Sequence, residues 1–239
     1  MLIHMVFDCV SLLTTNDTLH QWMTQFLVPH HPIKKKKSNY ESQADKAITE
    51  SERIMNSPGW AIESKDEDDV IYCKTLPQIG KVFKYEGVIE MDPESLNNKL
   101  FFNVDKSTEW NRNLLEAKVI QQINKQTNIA YFILKKEFIV QNRDFVHLRT
   151  FRKRGNSFFV SSFSVQHPDM PPAPSYTRAE HKFCTYYIQP LKDDPRKSYL
   201  IWLMQVNFHG WIPQNVVDLV VSIGMLRHIN DLRSLARKP

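Results

Sequence analysis

The chain has 239 residues, 42% of them hydrophobic and 11% aromatic, which is ample for a large buried core. Lysine and arginine exceed aspartate and glutamate by 31 to 26, and this surplus of five comes without a nucleic-acid-binding motif. No nucleic-acid partner is therefore expected, whereas transient attraction to an anionic membrane is compatible with the charge. The three cysteines form no CxxC pair, which argues against a disulfide framework or a zinc site and for a reducing compartment.

Residues 1–39 are interpreted as a leader and linker, separate from a domain at residues 40–239. Residues 1–13 lack a basic segment and a small-residue cleavage site, so they make a poor signal peptide. Two prolines and the four lysines at 34–37 predict a flexible linker. No run approaches the roughly 18 apolar residues that a membrane span needs, so we expect a soluble, cytoplasmic protein.

The first half of the domain begins with a helix. Apolar spacing over residues 40–55 is typical of an amphipathic helix, which Asn56-Ser-Pro-Gly59 should end. Strands are predicted at 70–75 and 81–90. Asp92 as N-cap and Pro93 at the first helical position then predict a helix that continues to about Phe102.

The second half alternates strands and turns. Extended runs at 114–122, 127–138, 144–154 and 156–166, separated by short polar turns, predict an antiparallel meander. The proline-rich segment 167–174 must be a loop before strands at 177–189 and 198–208. A long amphipathic helix is predicted at 214–235. The fold class is therefore α+β, with a curved sheet wrapped around the C-terminal helix, and the space between them need not be filled.

Arg149 is an unusual residue on the predicted strand 144–154. Alternation places it on one face with Phe145, His147 and Phe151. An arginine among aromatic side chains indicates either an apolar ligand cavity with one polar contact or an exposed edge strand. The segment by itself favours the exposed edge strand. On the last strand, Trp202, Val206 and Phe208 share a face of large apolar side chains.

Acid–base chemistry has little support in the sequence. Asp144, His147 and the pair Glu180-His181 are possible catalytic groups, but no catalytic motif or paired-carboxylate spacing accompanies them. A structural hydrogen bond is the better interpretation of His181. We therefore expect no enzyme activity, no cofactor and no metal.

Seven motifs occur in the order and approximate spacing of one known family: Gly59-Trp60, Gly80-Lys-Val-Phe83, Glu109-Trp-Asn-Arg-Asn113, Arg143-Asp-Phe-Val146, Lys153-Arg-Gly155, Arg178-Ala-Glu-His181 and Gly210-Trp-Ile-Pro213. The chain from Tyr40 resembles the START lipid-transfer domain, and most of all its cholesterol-binding subgroup. The resemblance implies a helix-grip fold, in which a nine-stranded sheet curls around the C-terminal helix and encloses a tunnel for one lipid. It also implies a monomeric carrier at the surface of organelle membranes.

The resemblance implies a set of site residues as well. Arg149 matches the family's buried arginine, so burial is now expected. The expected ligand-binding residues are Arg149, Phe132, Leu114, His147, Val160, Cys184, Trp202, Val206, Phe208, Gly224 and His228. A gate is expected from the proline-rich loop with Pro171 and Pro172 and from the helix with Val220 and Ile223, while basic residues at the helix end touch anionic headgroups.

The chain departs from the family at Phe132. In sterol-binding relatives an acidic residue at this position pairs with the arginine. Without it, Arg149 needs Ser162, Ser164, His147, water or the ligand as a partner, because an unpaired buried cation is costly. This favours a ligand whose polar end accepts hydrogen bonds. Gly224 is explained equally well by cavity volume, by a loosened helix or by a tight packing contact.

The function expected from these observations is non-enzymatic transfer of a sterol-like lipid between membranes. A phospholipid or carotenoid carrier of the same fold is an alternative, as is a lipid sensor whose leader docks a partner.

Overall fold

The computed structural model describes the backbone of residues 33–66 and 69–237, and the side chains within these ranges from Asn39 onward. The chain divides into two units, Met1–Ser38 and Asn39–Pro239. The strands and the C-terminal helix all lie in the second unit. The signal-peptide interpretation concerns residues 1–13, which lie outside the described residues. The role of the leader therefore stays a prediction.

The first helix, α1, spans Ile33–Met55. It includes the backbone of the four lysines at 34–37, a segment that the sequence analysis assigned to a flexible linker. Beyond Met55 the chain turns at Gly59, whose φ of +86° suits glycine. Ile54 and Met55 pack against Val82 and Leu203 on the outer face of the sheet.

Within the described residues the sheet contains ten strands, which pair antiparallel except for the short parallel pair of β6 and β8. They are β1 (Ala61–Asp66), β2 (Asp69–Leu76), β3 (Gly80–Ile89), β4 (Leu114–Asn124), β5 (Thr127–Leu134), β6 (Arg143–Arg154), β7 (Ser157–Ser164), β8 (Thr177–Arg178), β9 (Glu180–Pro190) and β10 (Ser198–Asn207). Nine of them follow the order β1-β2-β3-β10-β9-β7-β6-β5-β4, and the two-residue β8 pairs with the start of β6. The expected sheet of about nine strands is confirmed.

Three strand predictions differ from the structure. Strand β1 was not predicted, because Ala61–Asp66 is mostly polar and exposed and so has no apolar alternation. Strand β5 ends at Leu134 rather than at Phe138, whose φ of +51° belongs to a turn. The strand expected at 177–189 is interrupted at Ala179 and forms β8 and β9.

The connection from β3 to β4 is helical in three successive forms. Helix α2, Pro93–Asn97, begins as predicted, because the Asp92 carboxylate accepts hydrogen bonds from the backbone N–H groups of Glu94 and Ser95. It continues as a π-helical turn, Asn98–Phe102, and a 3-10 helix, Val104–Glu109. The π turn changes which carbonyl groups accept hydrogen bonds inside the helix, and the carbonyl groups of Leu100 and Phe101 accept hydrogen bonds from a side chain of the sheet instead.

The C-terminal helix, α3, spans Gln214–Ala236 and crosses the inner face of the sheet. Its buried residues Val221, Met225 and Ile229 join the main core with side chains from β3, β6, β9 and β10. Ion pairs fix the helix along its length: Lys81–Asp218, Arg227–Glu137, Arg112–Asp231 and Arg233–Asp69. No helix in the described part of the chain is both long and apolar enough to cross a membrane.

Candidate functional site

The inner face of the sheet and α3 do not close completely, and a cavity of about 220 Å³ remains between them. Its wall is mainly apolar, as a site for a hydrophobic ligand requires. The volume lies below the roughly 300–1,000 Å³ typical of ligand pockets. A polycyclic ligand would therefore have to displace side chains or part of the wall.

The wall includes all eleven residues that the resemblance marked as ligand-binding: Leu114, Phe132, His147, Arg149, Val160, Cys184, Trp202, Val206, Phe208, Gly224 and His228. That any of them contacts a ligand stays a prediction. Of the four expected gate residues, Val220 lines the cavity, whereas Ile223, Pro171 and Pro172 do not.

The proline-rich loop lies on the other side of the sheet. Met170 packs against the outer-face cluster that includes Ile129 and Val146, and Arg178 holds the carbonyl groups of Met170 and Pro171. The geometry thus gives no support to Pro171 and Pro172 as a gate.

Arg149 is 4% exposed and points from β6 into the cavity wall. Burial lowers the pKa of its guanidinium to about 10, so it is charged at neutral pH. Its position on the cavity face of β6 agrees with the alternation seen in the sequence, because Val146 and Leu148 of the same strand pack in the outer-face cluster. The reading of the segment as an exposed edge strand is therefore wrong.

The partners of Arg149 are neutral oxygens. Nη2 donates to the carbonyl oxygens of Leu100 at 2.5 Å and Phe101 at 3.3 Å, and Nη1 donates to Oδ1 of Asn128 at 3.4 Å. The two carbonyls belong to the π-helical turn, where the helical segment presents the negative end of its peptide dipoles. The end of a helical segment thus replaces the carboxylate as the partner of the cation.

The protein partners expected from the sequence were wrong. Ser162 donates to the carbonyl of Cys184, Ser164 accepts from the backbone of His181, and the ring of His147 forms no hydrogen bond. Within the described residues no ion pair joins Arg149 to a carboxylate; the Asp105 carboxylate acts on its pKa only as a weaker effect that opposes burial. Phe132 does stand beside Arg149, with its ring centroid 5.8 Å from the guanidinium carbon.

His147 and His181 form a stacked pair in the cavity wall. Their ring centroids are 4.9 Å apart, and the rings of Phe132 and Phe145 surround them. Nε2 of His147 and Nδ1 of His181 are buried without a hydrogen-bond partner, at a cost of about 1–3 kcal/mol for each group. The structural hydrogen bond predicted for His181 is made, in the described residues, by its backbone N–H, which donates to Oγ of Ser164, and not by its ring.

Burial keeps this pair uncharged. It lowers the pKa of His181 to about 3, and it lowers the pKa of His147 well below the ordinary value, with the nearby His181 and Arg149 acting in the same direction. A neutral imidazole offers one donor and one acceptor. The pair is therefore suited to hydrogen bonding with a ligand and not to neutralising Arg149.

His228 connects α3 to two other parts of the wall. Its Nδ1 lies 3.1 Å from the amide nitrogen of Asn111, and its Nε2 lies 3.2 Å from the Tyr186 hydroxyl. Because an amide nitrogen only donates, Nδ1 accepts and Nε2–H donates to the hydroxyl. Burial lowers the pKa of His228 to about 4, which preserves this neutral tautomer at physiological pH.

Sequence reasoning missed several of these residues. The carbonyl groups of Leu100 and Phe101 carry no side-chain signal, and Asn128 lies on a different strand from Arg149. The pairing of β9 with β10 could have indicated Tyr186, because it places Tyr186 opposite Trp202, and Asn111 lies in the Glu109–Asn113 motif, which gave no role to it.

The groups considered for catalysis do not meet at one place. The Asp144 carboxylate is paired with Arg178 at 2.8 Å outside the cavity wall, and Glu180 pairs with His209. Only His147 and His181 line the cavity, and neither ring has a carboxylate or hydroxyl partner in the described residues. No acid–base pair is assembled there.

Five charged or polar residues of the wall lie at the connection from β5 to β6 and at the facing part of α3: Lys135, Glu137, Gln141, Arg143 and Arg227. Arg143 holds this connection to the segment between β10 and α3. It donates to the carbonyl oxygens of Gln141 and Phe208 at 2.8 Å each, and to that of His209 at 3.4 Å. Lys135 lines the cavity and is exposed, so the wall reaches the surface at the connection from β5 to β6.

A curved sheet closed by a long helix over an apolar cavity defines the helix-grip class of lipid-binding domains. The START domain model matches residues 42–238, and the chain belongs to the START family. The chain is 34% identical to a steroidogenic acute regulatory protein of Danio rerio and 32% identical to that of Homo sapiens, in each case over 81% of this chain and 70% of the relative.

Solved structures agree with the fold. Human StAR-related lipid transfer protein 5 superposes with a TM-score of 0.76 at 20% identity, covering 84% of this chain and 98% of that one. Human STARD10 gives a TM-score of 0.67 at 18% identity, covering 79% of both chains. The protein therefore contains a START lipid transfer domain with the helix-grip fold.

Proposed function

We propose that the protein is a non-enzymatic carrier that binds one sterol-like lipid in the cavity and moves it between membranes. The observation that supports this most is a mainly apolar cavity whose wall contains the buried guanidinium of Arg149. Apolar burial at about 25 cal/mol per Å² drives binding of a hydrophobic ligand, and the cation fixes its orientation. The steroidogenic relatives agree with a sterol as cargo.

Arg149 selects the polar end of the cargo. It forms three hydrogen bonds to neutral oxygens of the protein, whereas a guanidinium has five N–H donors, so donors remain for an oxygen of the cargo. A group that accepts hydrogen bonds, such as a hydroxyl, keto or carboxylate oxygen, complements this end of the cavity. A plain hydrocarbon carotenoid offers no such oxygen.

Membrane contact is proposed at the two segments that Arg143 holds together. Trp211 between β10 and α3 is 94% exposed, and Phe138 and Ile139 between β5 and β6 are 61% and 66% exposed. Exposed large apolar side chains of this kind suit insertion into the headgroup region. The basic residues at the end of α3 were also expected to touch headgroups. Arg227 and Arg233 are paired with Glu137 and Asp69, and Lys238 lies outside the described residues. Arg237, whose side chain is 72% exposed and lies 3.9 Å from Glu90, remains a candidate for this contact.

The cargo is tested by incubating the purified protein with mixed-lipid vesicles, re-isolating it and identifying the bound lipid by mass spectrometry. A sterol at one molecule per chain is expected. Bound phospholipid or carotenoid would favour the alternative carriers, and no bound lipid would contradict the proposal. Gly224→Leu is the matched control, because its side chain would enter the cavity without meeting an atom near Cβ, and it should bind less.

The membrane contact is tested by sterol transfer between donor and acceptor vesicles. Trp211→Ser with Phe138→Ser should slow transfer while the affinity for the sterol in solution stays the same. Phe102→Ser is the control, since Phe102 is 50% exposed and packs beside Phe151, at the other end of β6 from Arg143. Equal transfer by all three proteins would remove the proposed contact surface.

A further inference from the structure

The stacked pair His147 and His181 is a polar surface inside a wall that is otherwise mainly apolar. Both rings line the cavity, and neither forms a hydrogen bond to the protein in the described residues. Buried polar groups in native proteins nearly always have a partner. The partner of this pair is therefore expected to come from what occupies the cavity.

A β-bulge places His181 in the wall. Along β9, Cys184 and Tyr186 face the cavity, while Phe183 and Thr185 face the outer side of the sheet. Strict alternation would put His181 on the outer side too, but the pairing register with β10 shifts between Gln205 and Val206, leaving an extra residue in β9. Such bulges often redirect a side chain next to a functional site.

The pair is separated from Arg149 by a defined distance. His147 and Arg149 lie two residues apart on the same face of β6, which corresponds to about 7 Å along a strand. The two sites also differ in chemistry: a guanidinium only donates hydrogen bonds, whereas a neutral imidazole both donates and accepts. Two ligand oxygens therefore complement the two sites better than one.

Resting on the proposed carrier function, we propose that His147 and His181 form a second polar contact for the cargo. The cargo then carries two oxygens: one held by Arg149, and a hydroxyl or keto group about 7 Å away on the body of the molecule. The chemical class is an oxygenated polycyclic lipid rather than a sterol whose single hydroxyl is at one end.

Water is the alternative partner of the pair. A buried water needs two to four polar partners, and the two rings could supply them. In that case a lipid without the second oxygen would bind as well as one that has it, so the relative affinity of matched lipids separates the two explanations.

The test compares a 3-hydroxysterol with two derivatives that carry one added hydroxyl on ring B or on ring C. Displacement of a fluorescent sterol from the wild-type protein measures the three affinities. At least one derivative should bind about threefold to tenfold tighter than the parent, the effect expected of one net hydrogen bond. His147→Phe and His181→Phe should each remove this preference.

Phe132→Leu is the control, because it changes the wall beside His147 without removing a polar group. It should keep the preference even where it weakens all three sterols. If neither derivative binds tighter than the parent, or if the preference survives both histidine substitutions, the second contact is wrong while the carrier function stands. If none of the three sterols binds, the proposed function itself fails.

A measurement on the unsubstituted protein decides the matter even if the variants do not fold. In protein labelled with ¹⁵N-histidine, the ring nitrogen resonances of His147 and His181 should shift on adding the preferred derivative and much less on adding the parent sterol. Equal shifts with both sterols would overturn the inference.

Discussion

Replacing Gly224 with alanine should stabilise the protein. A glycine inside a helix costs about 1 kcal/mol relative to alanine, and Gly224 lies in the middle of α3 without a positive φ. A Cβ atom added there meets no atom within 4 Å, so the tight-contact explanation of this glycine is wrong. The hydrogen bond from the Asn113 amide to the Gly224 carbonyl remains available to alanine.

The expected gain is about 1 kcal/mol in the free energy of unfolding, or roughly 2–4 °C in Tm for a domain of this size. Urea titration followed by circular dichroism and a calorimetric Tm measure it. Because the new methyl group enters the cavity, affinity for a lipid that fills the cavity should fall at the same time. Greater stability with weaker binding would indicate that the glycine is kept for cavity volume.

Gly155 provides the matched control. It too has no atom within 4 Å of an added Cβ, but its φ is +60° in the turn between β6 and β7. Alanine in that conformation costs about 1–2 kcal/mol, so Gly155→Ala should lower the Tm where Gly224→Ala raises it. Destabilisation by Gly224→Ala would refute the reasoning, because it would mean that the helix needs glycine for a reason other than space.

Three further predictions concern buried ionisable side chains. Arg149→Met should weaken binding of a hydroxysterol about tenfold, as expected for loss of a hydrogen bond to a charged group, while the Tm stays the same or rises; unchanged affinity in the displacement assay would contradict this. Asp144→Ala should destabilise by about 3–5 kcal/mol, because it leaves Arg178 without its carboxylate partner; a loss under 1 kcal/mol in urea titration would count against it. Stability should also fall in acid, since burial lowers the folded-state pKa of His228 to about 4 from its ordinary value of 6.5 and the unfolded chain therefore takes up the proton first. This contribution to the free energy of unfolding, roughly 3 kcal/mol, is complete above pH 6.5 and is lost as the pH falls towards 4. The Tm of the wild type should therefore fall more over this range than the Tm of His228→Phe, and an equal fall in both proteins would oppose the prediction.

The parts of the fold that depend on side-chain periodicity could be predicted from the sequence. Alternation predicted β6 and its two faces, and helical spacing predicted α3. The burial of Arg149 was decided by the family resemblance, because the segment by itself favours an exposed edge strand.

The parts that depend on the backbone could not be predicted. The acceptors of Arg149 are main-chain oxygens in a π-helical turn, and the turn has no sequence pattern of its own. The bulge that redirects His181 adds one residue to β9 without any glycine or proline to mark it. Strand β1 lacks alternation, because it lies at the edge of the sheet and is mostly exposed.

The way Arg149 is held has a consequence for mutational scanning. Its shortest contact is to a peptide oxygen, and no replacement of a side chain removes that atom. A saturation screen for lipid transfer should therefore show sensitivity at Arg149 with no second position that behaves as its partner, since Asn128 contributes only the longest of the three bonds. Insertions, deletions or prolines at residues 98–102 should reproduce the defect instead.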